Sequence, residues 1–306
     1  MQSATGRAGA SSAIPKDRRD SRGSLLEVVD AHHHFLDPER IEYPFLQFLP
    51  ELRRFVGTSD LAPILREAGV ARTVCVQAAD TEDETAFLLE QAAGVDWVAG
   101  IVGWVPLVDP EATESAVERH LGGGGSLLRG IRHLIHDEPD PDWLLQPSVL
   151  ESLEILAEND LSFDVSAFQP RHVEHVATLA ERVPDLRVVL CHLGMPRVDQ
   201  GEWEPWASAF ARAAENPRAV VKISAMDLFV GRVDVALFQR YVDHALECFG
   251  PSCMMWASNW PVSLQMRGYG ELLAGARELV RGCSEAEQAE IFGGTARRVY
   301  RLDPRG

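Results

Sequence analysis

From about residue 25 onward, eight short apolar runs alternate with longer amphipathic stretches, and this alternation constrains the fold more than any other feature. The runs lie at 27–32, 73–77, 98–104, 130–134, 161–167, 187–192, 219–225 and 254–258. Rich in Val, Ile and Leu, they read as strands buried on both faces, the mark of a parallel sheet. Helical periodicity occupies 60–67, 81–93, 111–121, 147–158, 170–182, 205–215 and 234–248, and then 269–281 and 284–300 after the last run. Ser284 followed by Glu287 has the spacing of a capping box. Strands interleaved with helices, with no separate block of strands, predict an α/β chain folded as a single-domain (β/α)8 TIM barrel over 25–306. A doubly wound open sheet would want a glycine-rich turn after the first strand, and His-Xaa-His stands there instead.

Composition narrows the partners. A net charge of −17 over 306 residues argues against a nucleic-acid backbone. No stretch approaches the roughly 20 apolar residues of a membrane helix. Cys75, Cys191, Cys248, Cys253 and Cys283 are odd in number and lack a CxxC pair, so free thiols in a reducing cytoplasm are expected. Residues 1–24, rich in Ser, Ala, Gly and Arg, are expected to form a disordered tail; Arg18-Arg19 is not followed by the apolar segment of an export signal. The four glycines at 122–125 follow a helix and precede a strand, the wrong order for a phosphate loop, and are read as a flexible connection.

In such a barrel, chemistry gathers at the C-terminal strand ends. Run one closes Asp30-Ala31-His32-His33-His34, and strand alternation turns His32 and His34 the same way while His33 points outward. Two converging imidazoles can hold a divalent ion or a polar substrate, although a polar loop would also carry histidines. Run six closes Leu190-Cys191-His192; alternation that aims His192 inward turns Cys191 toward the helices, as a structural thiol. Arg132 and His133 end run four, and a guanidinium fork suits a carboxylate or a developing oxyanion. Lys222 in run seven lines the pocket or pairs with Asp164 or Glu174. Gln77 and Trp104 end runs two and three, within reach of a substrate; for Trp104, packing explains the position equally well. Asn259 follows run eight, where an amide can hold a water but cannot take its proton. Segments 41–55 and 136–143 are candidate caps over the mouth. No GxSxG elbow occurs.

These motifs, taken in order, resemble a family. Asp30-Ala31-His32-His33-His34-Phe35, Gly130-Ile131-Arg132-His133, His192-Leu193-Gly194-Met195-Pro196, Val221-Lys222-Ile223-Ser224 and Ser258-Asn259-Trp260-Pro261 are similar to the amidohydrolase superfamily, in its lactonase-like group of sugar-lactone and dicarboxylate-lactone hydrolases. The resemblance runs from about Leu25 to Leu302. It implies that His32, His34 and His192 line the catalytic centre and that Arg132 and His133 bind substrate. The group usually carries an aspartate at the place of Asn259, and metal-dependent members of the wider superfamily place a histidine in the fifth strand, where only Asp164 and Ser166 stand here. If a divalent ion is bound, zinc or manganese, its ligands would be His32, His34 and His192.

The functional expectation is a cytoplasmic hydrolase that opens a small lactone by water attack, with a small-molecule substrate as its partner and self-association into a homo-oligomer left open. A decarboxylase or other lyase on the same scaffold is the alternative, because a lyase step needs no deprotonated water. A barrel that binds a small molecule and has lost catalysis is the third reading.

Overall fold

A computed structural model describes residues 27–122, 126–225, 228, 230–231, 234–265 and 268–302. Both the expected N-terminal tail and Gly123–Gly125 lie outside the described residues. Eight parallel strands, β1 (Val28–His33), β2 (Val70–Val76), β3 (Val98–Gly103), β4 (Leu128–His133), β5 (Ser162–Val165), β6 (Arg187–Leu190), β7 (Ala219–Ile223) and β8 (Met254–Trp256), form one sheet in sequence order. At the mouth the first and last strands meet: Asn259 N–H donates to the His32 carbonyl (2.8 Å) and His34 N–H to the Trp260 carbonyl (2.7 Å). Helices α1 (Thr58–Ala68), α2 (Glu82–Ala93), α3 (Pro110–Leu121), α4 (Pro147–Glu158), α5 (Pro170–Arg182), α6 (Trp206–Ala213) and α7 (Val235–Phe249) return the chain between strands, and α8 (Tyr269–Leu279) follows β8. The (β/α)8 barrel expected from the alternation is thus the observed fold.

The apolar core has two layers. Residues such as Val28, Cys75, Ile101, Phe163, Leu190 and Trp256 face the helices. Val29, Ala31, Val74, Val102, Val189 and Met255 fill the barrel interior. The C-terminal segment closes the N-terminal end of that interior. It was read as one helix and is three pieces: α9 (Glu285–Ala289), a π-helical turn (Glu290–Gly294) and α10 (Thr295–Tyr300). The Ser284 box caps α9, with Glu287 N–H donating to Ser284 Oγ (3.3 Å) and Ser284 N–H to Glu287 Oε2 (2.7 Å). A Cβ at Gly293 would sit 2.4 Å from the Glu27 carbonyl oxygen, so only glycine lets this turn pass under β1. α10 then inserts Ala296, Val299 and Tyr300 among the interior side chains.

Two local irregularities shape the mouth. In β1 the register with β2 slips between Asp30 and His33, a bulge that adds a residue and resets which side chains face inward. Beyond β6, His192, Leu193, Gly194 and Met195 all adopt left-handed backbone angles (φ 57°, 53°, 66° and 52°). Left-handed residues other than glycine each cost about 1–2 kcal/mol, and such strain gathers where a site needs a particular side-chain direction. Among the described residues no helix is long and apolar enough to cross a membrane, and all five cysteines are free.

Candidate active site

The strand ends bring His32, His34, His192 and Arg132 into one cluster. His32 Nε2 lies 3.2 Å from His34 Nε2 and 3.2 Å from Arg132 Nη1. The His32 and His192 ring centroids are 4.6 Å apart. The bulge explains why His32 and His34 both face inward while Asp30 turns away. Asp30 is fully buried and accepts from Ser258 N–H (2.9 Å), Ser258 Oγ–H (2.6 Å) and the Tyr269 hydroxyl (2.7 Å), tying β1 to the loop that carries Asn259. His33 points outward, as expected, and is buried against Thr73 (2.8 Å).

Each cluster member is held from behind. His34 Nδ1–H donates to the Val76 carbonyl (2.7 Å), so its Nε2 carries the lone pair into the site. His192 Nδ1 meets Ser224 Oγ at 2.7 Å. Arg132 Nη2 donates to the Gln77 carbonyl and to Gln77 Oε1 (3.3 Å), while its buried Nε has no partner among the described residues. Gln77 Nε2 in turn donates to Asp80 (2.7 Å) and to the Arg132 carbonyl (3.0 Å). Asn259, with φ 55° and 3% exposure, hydrogen-bonds with His34 and donates to Ser263 Oγ (3.4 Å). Asparagine tolerates the left-handed angle better than most residues.

The electrostatics favour neutral imidazoles. Burial, then Lys222, His192 and Arg132, holds His32 well below the usual histidine range. Burial followed by Arg132 does the same for His34, and burial, Arg132 and Lys222 for His192.

Several sequence expectations change in detail. Cys191 does not face the helices: its Sγ lies 3.9 Å from His32 Nδ1, inside the barrel. Leu190 packs outward, so alternation turns Cys191 inward, and the left-handed turn then redirects His192 into the mouth as well. Burial raises the Cys191 thiol to about 11, which leaves it protonated and unreactive. Lys222 is fully buried beneath His32 (Nζ to Nδ1, 3.2 Å) and pairs with Asp164 (2.7 Å), so it supports the cluster from below and does not line the mouth. Gln77 is likewise fully buried and braces Arg132. His133 forms part of the wall: Trp104 Nε1–H donates to its Nδ1 (3.0 Å), its Nε2 meets Glu138 (2.8 Å), and it stacks on Trp143 at 4.0 Å between centroids. In the candidate caps, Trp143 and Tyr43 are buried while Phe48 is 78% exposed.

Sequence reasoning missed Ser224 and Tyr300. Ser224 was legible, since it lies two residues past Lys222 on the same strand face; Tyr300 carried no local signal.

The residues found here also bear on a metal ion. His32 and His34 present nitrogens 3.2 Å apart, near the separation two ligands of one tetrahedral zinc would have. A catalytic zinc needs a third protein ligand, and among the described residues no three His, Cys, Asp or Glu side chains converge on one point. The second nitrogen of His32 faces an ammonium donor, where a ligating histidine would face an acceptor. The donor set therefore does not fit an ion in this arrangement.

The amidohydrolase family model matches residues 29–302. The chain belongs to the amidohydrolase family. An L-fucono-1,5-lactonase from Burkholderia ambifaria is 33% identical over 282 residues, spanning 90% of this chain and 96% of its own. A second L-fucono-1,5-lactonase, from Burkholderia multivorans, is 31% identical over 90% of this chain and 96% of its own. A crystal structure of an amidohydrolase from Burkholderia multivorans with bound zinc superposes with a TM-score of 0.81 at 31% identity, covering 90% of this chain and all of that one.

Proposed function

We propose that this amidohydrolase is a lactonase that opens a small sugar-derived cyclic ester by attack of water, with a six-membered 1,5-lactone as its substrate class. The observation that carries the reading is the adjacency of a cation and a directed lone pair. Arg132 has an Nε with no hydrogen-bond partner among the described residues, and its Nη1 reaches His32, which touches the lone-pair nitrogen of His34. Such a pair supplies the two things ester hydrolysis asks for, an electrophile for the carbonyl oxygen and a base for water. The ring size follows the two relatives named as 1,5-lactonases.

In this mechanism Arg132 donates to the lactone carbonyl and stabilises the charge that gathers there. A water held by Asn259 and His34 attacks the carbonyl carbon. His34 Nε2 takes its proton, forming an imidazolium beside the tetrahedral oxyanion. Collapse breaks the ring carbon–oxygen bond, and the proton passes to the departing alkoxide, leaving a hydroxy acid. His192, braced by Ser224, and the wall of Trp104 and His133 position the ring. An activated ester requires less of its base than an amide does, which suits a site whose strand-eight group is Asn259. No step is assigned to a divalent ion. The protein needs no membrane or nucleic acid for this chemistry.

Purified protein tests the reading directly. Proton release would be followed against sugar and unsaturated lactones, and carbon dioxide release against aromatic acids, on one preparation. Ring opening of a sugar 1,5-lactone is expected. Carbon dioxide release without ring opening would establish the lyase reading instead, and binding with neither product would mark a barrel that has lost catalysis.

A further inference from the structure

The mouth carries an aromatic and polar rim that the proposed reaction does not use. Val165 and Ala167 pack toward the helices, so strand alternation turns the intervening Ser166 inward. Ser166 stands two residues past Asp164, the register partner of Arg132, which places its backbone at most about 7 Å further out along the barrel. From the 136–143 segment His136 reaches this serine, with Nδ1 3.1 Å from Ser166 Oγ. The phenyl ring of Phe168 lies on the imidazole, 4.1 Å between centroids and 26° from parallel. Ser166 is buried, yet Phe168 is 45% exposed. His136 Nε2 makes no hydrogen bond among the described residues, and Asp137 Oδ1, at 3.8 Å, is beyond hydrogen-bond distance. The large apolar side chains that stand exposed among the described residues are Phe48, Phe55, Val108 and Phe168, and all four lie in loops that lead from a strand to the next helix. That is the face on which the catalytic cluster opens. A lone exposed phenylalanine needs no explanation. One stacked on an imidazole that is itself tied to an inward-facing serine is a built feature.

We propose that Phe168 and His136 are specificity-determining residues for a hydroxylated lactone ring, with Phe168 receiving the C–H face of the ring and His136 Nε2 bonding a ring hydroxyl on the side away from the carbonyl. The proposal rests on the lactonase reading and names how the site would choose a sugar over a plain cyclic ester. An aromatic face is electron-rich and sheds water, and a sugar ring presents C–H edges alongside its hydroxyls. A hydroxyl both donates and accepts, so a neutral imidazole can meet it in either sense. Burial, reinforced by Arg132 and opposed by Asp137, holds His136 below the usual histidine range and keeps it neutral. The stack on Phe168 and the Ser166 contact fix the imidazole's direction before substrate arrives, which lowers the ordering cost of binding. The offset between the Arg132 and Ser166 levels is about the span of a substituted six-membered ring, so a carbonyl held by Arg132 leaves the far hydroxyls beside His136.

The decisive measurement needs no hydrolysis. Calorimetry of the full chain would compare a polyhydroxylated 1,5-lactam, whose ring resists opening, with unsubstituted δ-valerolactam. Wild type should bind the hydroxylated ring more tightly. His136→Phe keeps an aromatic ring on Phe168 and removes Nε2, and it should shrink that preference by about 5-fold, the scale of one neutral hydrogen bond. His136→Gln, which can set an amide nitrogen near the Nε2 position, should restore part of it. Phe168→Ala should weaken both lactams by a similar factor of roughly 5, the scale of losing about 40 Å² of apolar cover, and keep the preference between them. No binding of the hydroxylated lactam by wild type, no preference for it, or a preference unchanged in folded His136→Phe would overturn the proposal. So would a Phe168→Ala protein that binds both lactams as wild type does. His136→Phe leaves Ser166 without its partner and can fail to fold; the wild-type comparison and Phe168→Ala, at a half-exposed position, still decide the matter. Failure of the lactonase reading would show as no ring opening of any lactone with the lactam preference and its dependence on His136 intact, so the two failures are distinguishable.

Discussion

Replacing Arg132 by methionine keeps much of the side-chain volume and removes the charge, and its consequences can be worked out contact by contact. Arg132 is 4% exposed, and its Nη2 satisfies the Gln77 carbonyl and Oε1. Leaving those acceptors without a donor should cost about 1–3 kcal/mol of folding stability. The kinetic cost should be larger. Loss of one preorganised oxyanion donor typically lowers kcat by about 10²–10³-fold, or roughly 2.7–4 kcal/mol in the transition state. A third effect is specific to this site. Arg132 is the second-largest influence, after burial, that lowers His34 and His192. Removing it should let His34 titrate closer to an ordinary imidazole, so the acid limb of the rate profile moves to higher pH. Steady-state kinetics across pH, with thermal denaturation of the same samples, measure all three. A kcat within about 3-fold of wild type, or a rise in KM alone, would show that Arg132 contributes only uniform binding and would refute the assigned role.

Other outcomes follow from the same geometry. In the wild type the acid limb of kcat/KM should lie below the free-imidazole range: His34 is held well below 6.5, its base form persists into acid, and activity is lost only as pH falls through that lowered value; an acid limb at or above 6.5 would contradict the assignment. Glu84 is buried, accepts from Ala78 N–H (2.9 Å) and Ala79 N–H (2.5 Å), and is pushed up by burial to about 8. Its folded state therefore holds a proton that the unfolded chain releases near 4.5, so stability should fall by about 1.4 kcal/mol per pH unit as pH rises through that window. Glu84→Gln should lack this component in denaturant titrations run at several pH values. Gly194→Ala places a Cβ 2.7 Å from Val173 Cγ2 at φ +66°. It should lose about 1–2 kcal/mol from the backbone angle and about 1–3 from overpacking, and activity should fall with it as His192 shifts.

The fold was legible because each strand is an apolar run bounded by turn residues, and the wrapping helices keep their period. The runs at 187–192 and 254–258 were read too long for a physical reason. Pattern alone cannot distinguish a strand from the left-handed turn or loop that continues it, and His192 and Asn259 both lie beyond the last strand residue with positive φ. The same turn redirects His192, so His192 and Cys191 both face inward and the direction of one does not set that of the other. His32, His34 and Arg132 were legible because polar residues closing apolar strands are costly without a purpose. Their supports were not, since they depend on contacts distant in sequence. Asp164 and Lys222 are 58 residues apart and Tyr300 reaches Asp164 across 136. The bulge in β1 was equally hidden, because Asp30 and His32 share a parity that only the register slip with β2 breaks.

In the proposed reaction the side chains gathered around Arg132 and His34 open a sugar lactone by themselves. The most direct test measures ring opening of a sugar 1,5-lactone and metal content on one chelator-treated sample. The rate per subunit should be retained when metal falls far below one ion per chain. A rate that falls in proportion to metal and returns on adding zinc would contradict it.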